Sequence, residues 1–424
     1  TRVIPVGLNA LFNAQSLKGL LSQFQRLEDR IIIRGDVERL RALAKIGTLV
    51  FVPTHSSHMD SLLLGWALEQ SGLPPVTYGA GKNMFRRPLT AFFLRNLGAY
   101  KVDRRLRHSL YKDVLKQVSQ LFLEMGFHSL FFPGGTRTRS GRVEQHLKLG
   151  LMGSALTAYT QSLIEGRPQQ VFVVPVTINY HLVLEAETLV GDYLRTDGRQ
   201  RYIIDEDEFS DLGKVTRFAL NTMGMDNPLC INFAPPMDCF GNDVDRDGIS
   251  HDRQGRAVDP TTYVLRNGSA IHDDARDREY VRFLGERVAD RFLKANVVFS
   301  IHVVARAIFA LLKFRHGRWD LYNTIRFGRG EFVGFEELQA WVERLMTLLR
   351  VDADAGNVEL GALVERASAT QLIDEACRYF TMYHSSPLIV RRGKGIELNN
   401  LSLLFYYSNR VRGYDYERRL EEQR

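Results

Sequence analysis

The sequence is poor in cysteine and lacks a long apolar run, and each shortage excludes a class of protein. Its 424 residues include three cysteines, none in a C-x-x-C pair or at zinc-site spacing. Neither a disulfide framework nor a zinc ribbon is expected, and a reducing compartment fits. A transmembrane helix needs about 18 uninterrupted apolar residues, but the nearest candidate, residues 295–313, contains His302 and Arg306. That segment is predicted to be a buried helix.

Two common reactive motifs are also missing. A P-loop needs a glycine five residues before its Gly-Lys pair, and Val76 stands at that distance before Gly81-Lys82. No G-x-S-x-G elbow surrounds Ser56 or Ser57. The formal net charge of +7 and the pI of about 9.2 favour anionic partners, whether phosphorylated substrates, acidic lipids or nucleic acid.

Short β-rich runs alternate with helical patterns from Thr48 onward, which predicts a layered α/β fold. The expected strands are 48–54, 75–80, 129–133, 171–180 and 230–238, and the expected helices are 61–70, 88–97, 110–126 and 149–159. We predict an N-terminal helical segment at 1–46 and a helical C-terminal region at 261–424. Between them, residues 47–260 should form an α/β domain whose mixed, largely parallel sheet is flanked by helices.

The stretch VPTHSSHMDSLLL, residues 52–64, places titratable side chains where a predicted strand meets a helix. Ser57 and Asp60 have capping-box spacing, so Asp60 can be purely structural. Alternatively, His55 lies at the sheet edge where open α/β folds bind ligands, and Asp60 returns beside its imidazole to form an acid–base pair. The pattern H-x-x-x-x-D leaves both interpretations open. A metal site is not predicted, because no histidine cluster completes a ligand shell.

The stretch FFPGGTRTRSGR, residues 131–142, follows a predicted strand and combines glycines with three arginines. Glycine lets the backbone approach a ligand closely, and its N–H groups can surround an anion. Arg137 and Arg139 are spaced to hold one phosphate together. A solvated basic loop, or one that contacts nucleic acid, is the alternative, but the bracketing of arginine by glycine favours a small phosphate ligand. Lys82, in a glycine-flanked loop, is a weaker candidate for the same ligand.

With both motifs in place, the sequence resembles the glycerol-3-phosphate acyltransferase family within the glycerolipid acyltransferase superfamily. Four blocks follow the family order: HSSHMD (55–60), LGAYKVDRR (97–105), GGTRTRSGR (134–142) and VVPVTINY (173–180). The stretches at 296–309 and 403–415 are similar to the helical C-terminal region of the larger glycerol-3-phosphate enzymes. The resemblance therefore covers most of the chain.

The resemblance implies a mechanism and a set of site residues. His55 would be the general base, oriented by Asp60, so that an acceptor hydroxyl attacks the thioester of acyl-CoA or acyl-carrier protein as co-substrate. Residues of the later blocks and the loop lysine would bind the acceptor: Arg104, Gly135, Thr136, Arg137, Arg139, Pro175 and Lys82. No cofactor, metal or covalent enzyme intermediate is implied.

The family also implies a substrate and a location. A fatty acyl group would pass to the sn-1 hydroxyl of glycerol 3-phosphate, giving lysophosphatidic acid for phospholipid biosynthesis. The enzyme would work at the cytoplasmic face of a membrane, on a surface with anionic lipids. Acylation of lysophosphatidate or dihydroxyacetone phosphate is the alternative acceptor chemistry.

One position departs from the family pattern. The third block normally reads E-G-T-R-S-R, and this chain has Gly134 in place of the glutamate. A non-catalytic lipid-binding relative is therefore a second hypothesis. A nucleic-acid-binding protein is a third, but it rests on charge alone, and no nucleic-acid partner is expected.

Overall fold

The computed structural model describes residues 31–85, 91, 94–95, 98–103, 106, 108–197, 229–382 and 384–422. Several sequence predictions lie outside these residues. The predicted helix at 88–97 falls largely outside them, and residues 1–30 and Arg104 lie wholly outside them.

A mixed, largely parallel sheet forms the centre of the fold, so the predicted fold class is confirmed. Its strands are β1 Ile31–Arg34, β2 Gly47–Pro53, β3 Thr77–Gly81, β4 Ala99–Val102, β5 Ser129–Leu130, β6 Gln170–Tyr180, β7 Leu229–Phe233, β8 Met237–Asp238, β9 Asp243–Val244, β10 Ser250–His251 and β11 Ala257–Val258. The parallel part has the order β6, β2, β5, β3, β4. On the other side of β6, strands β7 and β8 pair antiparallel with it, β1 runs parallel to β7, and β8 to β11 form successive antiparallel pairs.

Helices cover both faces of this sheet. They are α1 Val37–Ile46, α2 Asp60–Gln70, α3 Ser109–Glu124, α4 Met152–Ile164 and α5 Ala186–Asp197. Strand β2 shows why both faces are covered: Leu49 and Phe51 point into one apolar core, and Val50 and Val52 into the other. A strand that is buried on both faces has a continuous apolar run in its sequence, and this run is the pattern from which the strand was predicted.

The prediction of helix throughout residues 1–46 is wrong for Ile31–Arg34, which is strand β1. Three consecutive isoleucines favour a strand because branching at Cβ suits a pleated surface. This strand pairs in parallel with β7, with Ile31 opposite Leu229. Helix α1 begins only after Asp36, whose carboxylate accepts the Arg39 N–H at 3.0 Å.

The C-terminal region is mainly helical, as predicted. Its helices are α6 Asp274–Lys294, α7 Ser300–Arg315, α8 Leu321–Phe327, α9 Phe335–Asp354, α10 Ala362–Arg366, α11 Ala369–Met382, α12 Leu401–Ser408 and α13 Tyr416–Glu422. Short strands lie among them: β12 Leu265–Arg266, β13 Ser269–Ala270, β14 Val297–Val298, β15 Phe332–Gly334, β16 Glu359–Leu360, β17 Ile389–Arg392 and β18 Gly395–Leu398. Short 3-10 helices occur at Lys82–Phe85, Pro260–Tyr263 and Asn409–Tyr414.

Helix α7 is buried along most of its length, including His302 and Arg306, so the prediction of a buried helix here is confirmed. The Arg306 guanidinium pairs with Glu417 on α13, and this carboxylate neutralises the charge of the buried arginine. Within the described ranges, no helix is both long enough and apolar enough to cross a bilayer.

The C-terminal region packs against the loop that follows β5. The side-chain amide of Asn409 donates to the carbonyl of Ser140 at 2.8 Å. Gly141 has a φ of +78° and lies so close to α12 that a Cβ atom there would overlap the carbonyl oxygen of Tyr406. The α/β domain and the C-terminal region thus share an interface at this loop, and the boundaries at 47–260 and 261–424 stay a prediction.

Gly141→Ala should destabilise the protein strongly, and Gly166→Ala is the matched control. Both glycines have positive φ, but a Cβ at Gly166 meets no atom within 4 Å. The left-handed backbone alone costs about 1–2 kcal/mol for alanine, and the clash with Tyr406 should add about 1–3 kcal/mol at Gly141. Urea unfolding of both variants measures the difference. Equal losses of stability would show that the contact between the loop and α12 contributes little.

Candidate active site

The end of strand β2 places His55 at the carboxyl edge of the sheet. The Thr54 N–H donates to the carbonyl of Val176 at 2.9 Å, and the Thr54 hydroxyl oxygen accepts the N–H of Ile178 at 3.0 Å. These two bonds extend the pairing with β6 beyond the last residue of β2. The chain then leaves the sheet at the edge where open α/β sheets bind ligands.

His55 and Asp60 form a buried pair. Nδ1 of His55 lies 2.8 Å from Oδ2 of Asp60, and the two residues are 8% and 0% exposed. The same Oδ2 accepts the backbone N–H groups of Ser56 and Ser57 at 2.7 and 2.9 Å, and the Tyr180 hydroxyl donates to Oδ1 at 2.5 Å. Because Asp60 is an acceptor, it holds the imidazole proton on Nδ1 and leaves Nε2 able to accept a proton.

The two interpretations of Asp60 meet in one geometry. Helix α2 begins at Asp60, whose carboxylate accepts the Ser57 N–H, as in one half of the predicted capping box. The N-cap residue is Met59, which makes no side-chain capping bond, so the complete box does not form. The Ser57 hydroxyl oxygen in turn accepts the N–H of Met59 at 3.2 Å. Asp60 therefore starts the helix and holds the imidazole at the same time.

The His55 ring is neutral at neutral pH. Burial lowers its pKa below 6.5, and this effect exceeds the opposing influence of the Asp60 hydrogen bond; the Arg137 charge lowers the pKa further. The ring stacks on Phe132 with centroids 4.1 Å apart. A neutral, immobilised imidazole is the form that a general base requires.

Two of the three arginines of the third block are anchored by acids, one just before helix α5 and one within it. Nη1 of Arg137 lies 3.2 Å from Glu185, and Nη1 of Arg139 lies 2.8 Å from Asp192. Glu185 also accepts the Ser57 hydroxyl and the His58 N–H, each at 2.9 Å, so it joins the arginine loop to the His55 segment. A guanidinium has five N–H donors, and one ion pair leaves it further capacity to bind phosphate.

The other predicted binding residues lie at different depths. Gly135, with φ +72°, and the exposed Thr136 belong to the loop beside His55. Lys82 is 71% exposed and its Nζ pairs with Asp103 at 3.1 Å. Pro175 lies inside β6 opposite Val52, within the sheet, where its carbonyl accepts the Ala234 N–H at 2.9 Å. The structure therefore places the residues of the loop after β5 beside His55, whereas Pro175 lies within the sheet.

Several site residues were not identified from the sequence. They are Phe132, Glu144, Tyr180, Glu185 and Arg410. Tyr180 ends the fourth block and Glu185 follows it within five residues, so their position after a strand was an available signal. The two carboxyl oxygens of Glu144 accept the His55 N–H at 3.2 and 3.3 Å. Arg410 donates to Asn179 Oδ1 at 2.6 Å from the far C-terminal region.

Among the described residues, no three His, Cys, Asp or Glu side chains are grouped to hold a metal ion. A small cavity lies next to residues that donate to Asp60. Its walls come from the His55 segment, β6 and the C-terminal region and include Ser56, Tyr180, Tyr406 and Arg410. The C-terminal region thus forms part of the wall around this site.

Residues 34–179 match the family model described as Acyltransferase. This part of the chain matches as an acyltransferase domain, and the resemblance predicted from the four blocks is confirmed over these residues. The glycerol-3-phosphate acyltransferase of Pseudomonas aeruginosa (strain LESB58) is 33% identical over 170 residues, covering 40% of this chain and 20% of that protein. That of Pseudoalteromonas atlantica is 29% identical over 233 residues, 54% of this chain and 28% of the relative.

The glycerol-3-phosphate acyltransferase of Pseudomonas fluorescens (strain Pf0-1) is 28% identical over 274 residues, 64% of this chain and 29% of that protein. The chain thus spans less than a third of the length of these curated relatives. The crystal structure of a 1-acyl-sn-glycerophosphate acyltransferase from Thermotoga maritima is also similar. The superposed part covers 61% of this chain and 70% of the Thermotoga chain, at 16% sequence identity. The TM-score of this comparison is 0.30.

Asp60→Ala should lower the free energy of unfolding more than the control Asp113→Ala, which removes a carboxylate from the exposed side of α3. The substitution leaves the His55 ring, two backbone N–H groups and the Tyr180 hydroxyl without their shared acceptor. Breaking a buried charged network by removing one partner costs about 3–5 kcal/mol, whereas an exposed pair contributes about 0–1 kcal/mol. Chemical denaturation compares the two. A loss below about 1 kcal/mol for Asp60→Ala would contradict the central place given to this carboxylate.

Proposed function

We propose that this chain transfers a fatty acyl group from acyl-CoA or acyl-carrier protein to the sn-1 hydroxyl of glycerol 3-phosphate, giving lysophosphatidic acid. The observation that carries the proposal is the buried His55–Asp60 pair at the carboxyl edge of the sheet, beside a loop with two anchored arginines. The curated relatives that match the acyltransferase domain are named as glycerol-3-phosphate acyltransferases, which favours this acceptor.

The geometry supports a direct transfer with the acceptor as nucleophile. Nε2 of His55 takes the proton of the acceptor hydroxyl, while Asp60 stabilises the imidazolium that forms. The hydroxyl oxygen bonds to the thioester carbonyl carbon, and the resulting tetrahedral intermediate expels the thiolate as the C–S bond breaks. The proton held by His55 then passes to the thiolate sulfur, which returns the imidazole to its neutral form.

The arginine loop supplies the charge for the acceptor phosphate. Arg137 and Arg139 are held by Glu185 and Asp192, so their guanidinium groups are positioned before the ligand arrives. Fixing these long side chains in advance lowers the entropy lost on binding. We assign Thr136, Gly135 and Lys82 to the same ligand, with Arg104 implied by the family pattern.

We also propose that the reaction takes place at the cytoplasmic face of a membrane. The acyl chain and the product are lipids, and a net charge of +7 suits a surface with anionic headgroups. Lysophosphatidate and dihydroxyacetone phosphate remain alternative acceptors, since each carries a hydroxyl and a phosphate that this chemistry can use.

The test is acyl transfer from a labelled thioester, with glycerol 3-phosphate, lysophosphatidate and dihydroxyacetone phosphate offered separately. His55→Ala should lower the rate by about 10²- to 10⁴-fold, the usual contribution of a general base. His146→Ala is the matched control, because His146 is an exposed histidine on the loop after β5. Transfer only to another acceptor would replace the substrate proposed here. Absence of transfer to all three, with lipid vesicles and both donors present, would refute the proposed function.

The rate should depend on pH through the state of His55. The base must be unprotonated, and its pKa lies below 6.5 because burial disfavours the imidazolium. Hence kcat/KM should be constant near neutral pH and fall as the pH drops through that lowered pKa, with its half-maximum below pH 6.5. Initial rates across the acidic range measure this limb. A half-maximum above pH 7 would be incompatible with the buried, neutral imidazole.

A further inference from the structure

The space beside Gly134 is filled by another residue's carboxyl group. A Cβ atom built on Gly134 would overlap Oε1 of Glu144 and would lie 3.0 Å from the Glu144 carboxyl carbon. The backbone of Gly134 is outside the left-handed region, so conformation does not require glycine there. A side chain at this position would have to displace the Glu144 carboxyl group, which already occupies that space.

The distance is close to that expected for a glutamate at position 134 itself. In a glutamate, Cβ and the carboxyl carbon are separated by two C–C bonds, which is about 2.5 Å. The Glu144 carboxyl carbon lies 3.0 Å from the Cβ position of residue 134. The carboxyl group of Glu144 therefore lies where the missing third-block glutamate could have placed its own.

The path of the loop explains how a residue ten positions later reaches this place. The N–H of Lys148 donates to the carbonyl of Pro133 at 2.7 Å, which closes residues 134–147 into a loop. Asn409 of the C-terminal region holds the loop at Ser140. Glu144 lies on the returning half, beside the point where the loop began.

Glu144 contacts the proposed base directly through the backbone. Its two carboxyl oxygens accept the His55 N–H at 3.3 and 3.2 Å, and the N–H of Thr138 donates to the His55 carbonyl at 2.8 Å. Both peptide groups of His55 are thus held by the loop, while Asp60 holds its ring. A displacement of the His55 backbone would move Nε2 relative to the acceptor hydroxyl.

We propose that Glu144 takes the place of the third-block glutamate, as a positioning residue that fixes the His55 backbone for proton transfer. The inference rests on the proposed function, because it assigns a role within that reaction. It also removes the reason for regarding the chain as a non-catalytic relative, since the carboxyl group that seemed to be lost at Gly134 is present from another position.

The charge state of Glu144 guides the choice of variants. Burial raises the pKa of its carboxyl to about 8, against the lowering effect of the hydrogen bond from the His55 N–H; the Asp60 charge raises this pKa further and the Arg410 charge lowers it. The group is therefore mainly protonated at pH 7, and Glu144→Gln is a close neutral replacement that keeps an acceptor for the His55 N–H. Glu144→Ala removes that acceptor and empties the space beside Gly134.

The decisive experiment moves the glutamate to the other position. Four proteins are compared: the unchanged chain, Glu144→Ala, Gly134→Glu, and the double variant carrying both changes. Glu144→Ala should lower kcat about 10- to 100-fold, as expected when a base is slightly misplaced, with the KM for glycerol 3-phosphate nearly unchanged. Gly134→Glu alone should also be impaired, because two carboxyl groups then compete for one space. The double variant should recover most of the lost kcat.

Thermal unfolding of the same four proteins gives a readout that needs no activity. Each single change should lower the unfolding midpoint. The midpoint of the double variant should lie at least about 2 °C above the value expected if the two separate losses simply added. Glu144→Gln should keep most of the activity, and Glu165→Ala, which removes an exposed glutamate at the end of α4, should keep all of it.

The outcomes separate this inference from the proposed function. If the unchanged chain acylates no acceptor, the proposed function fails, while the thermal cycle still shows whether residues 134 and 144 share one carboxyl position. If Glu144→Ala keeps full activity, or the double variant is no more active than Glu144→Ala, Glu144 does not position His55. Additive thermal losses would show that the two positions do not share one space.

Discussion

The structure around the candidate site depends on the burial of one carboxylate. Asp60 is fully buried, and a buried carboxylate is tolerated only where hydrogen bonds replace its hydration. Its partners come from the loop after β2, from the His55 ring and from Tyr180 at the end of β6. Satisfying Asp60 therefore forces the end of β2, the start of α2 and the end of β6 to meet at one edge of the sheet.

The same requirement determines the state of the imidazole. His55 supplies a donor to Asp60 only with its proton on Nδ1, and burial lowers the ring pKa so that the second nitrogen stays unprotonated. Structural and chemical demands on the pair therefore coincide, since the arrangement that satisfies the carboxylate also leaves Nε2 able to accept a proton. This is why the capping interpretation and the acid–base interpretation of Asp60 were hard to separate by spacing alone.

Much of the architecture was predictable because it depends on local patterns. Strands β2 and β6 are mainly apolar and buried on both faces, and their observed bounds lie within one residue of those expected. Strand β5 is shorter than predicted, Ser129–Leu130 instead of 129–133, because the chain leaves the sheet there to begin the arginine loop. The apolar residues after Leu130 serve a different purpose, as Phe132 stacks on the His55 ring.

The partners of the site were less predictable because they are distant in sequence. Glu185 is 128 residues from Ser57, Glu144 is 89 from His55, and Arg410 is 231 from Asn179. No periodicity connects such pairs, so only the folded chain shows them. The arginines illustrate the consequence. Their spacing predicted a phosphate ligand, but it did not show that Glu185 pairs with Arg137 and Asp192 with Arg139.

Gly134 shows that a comparison of motifs residue by residue can miss a functional group that another position of the chain supplies. A glutamate is missing from the third block, yet a carboxyl group lies beside that position, 3.0 Å from where a Cβ would be. With Glu144 in this place, a side chain at residue 134 would have to displace its carboxyl group, and glycine avoids that conflict. The loop is closed at Pro133 and Lys148 and held at Ser140 by the C-terminal region. The constraint at this site is therefore a carboxyl group at a particular point in space, and the closed loop allows either of two positions in the chain to supply it.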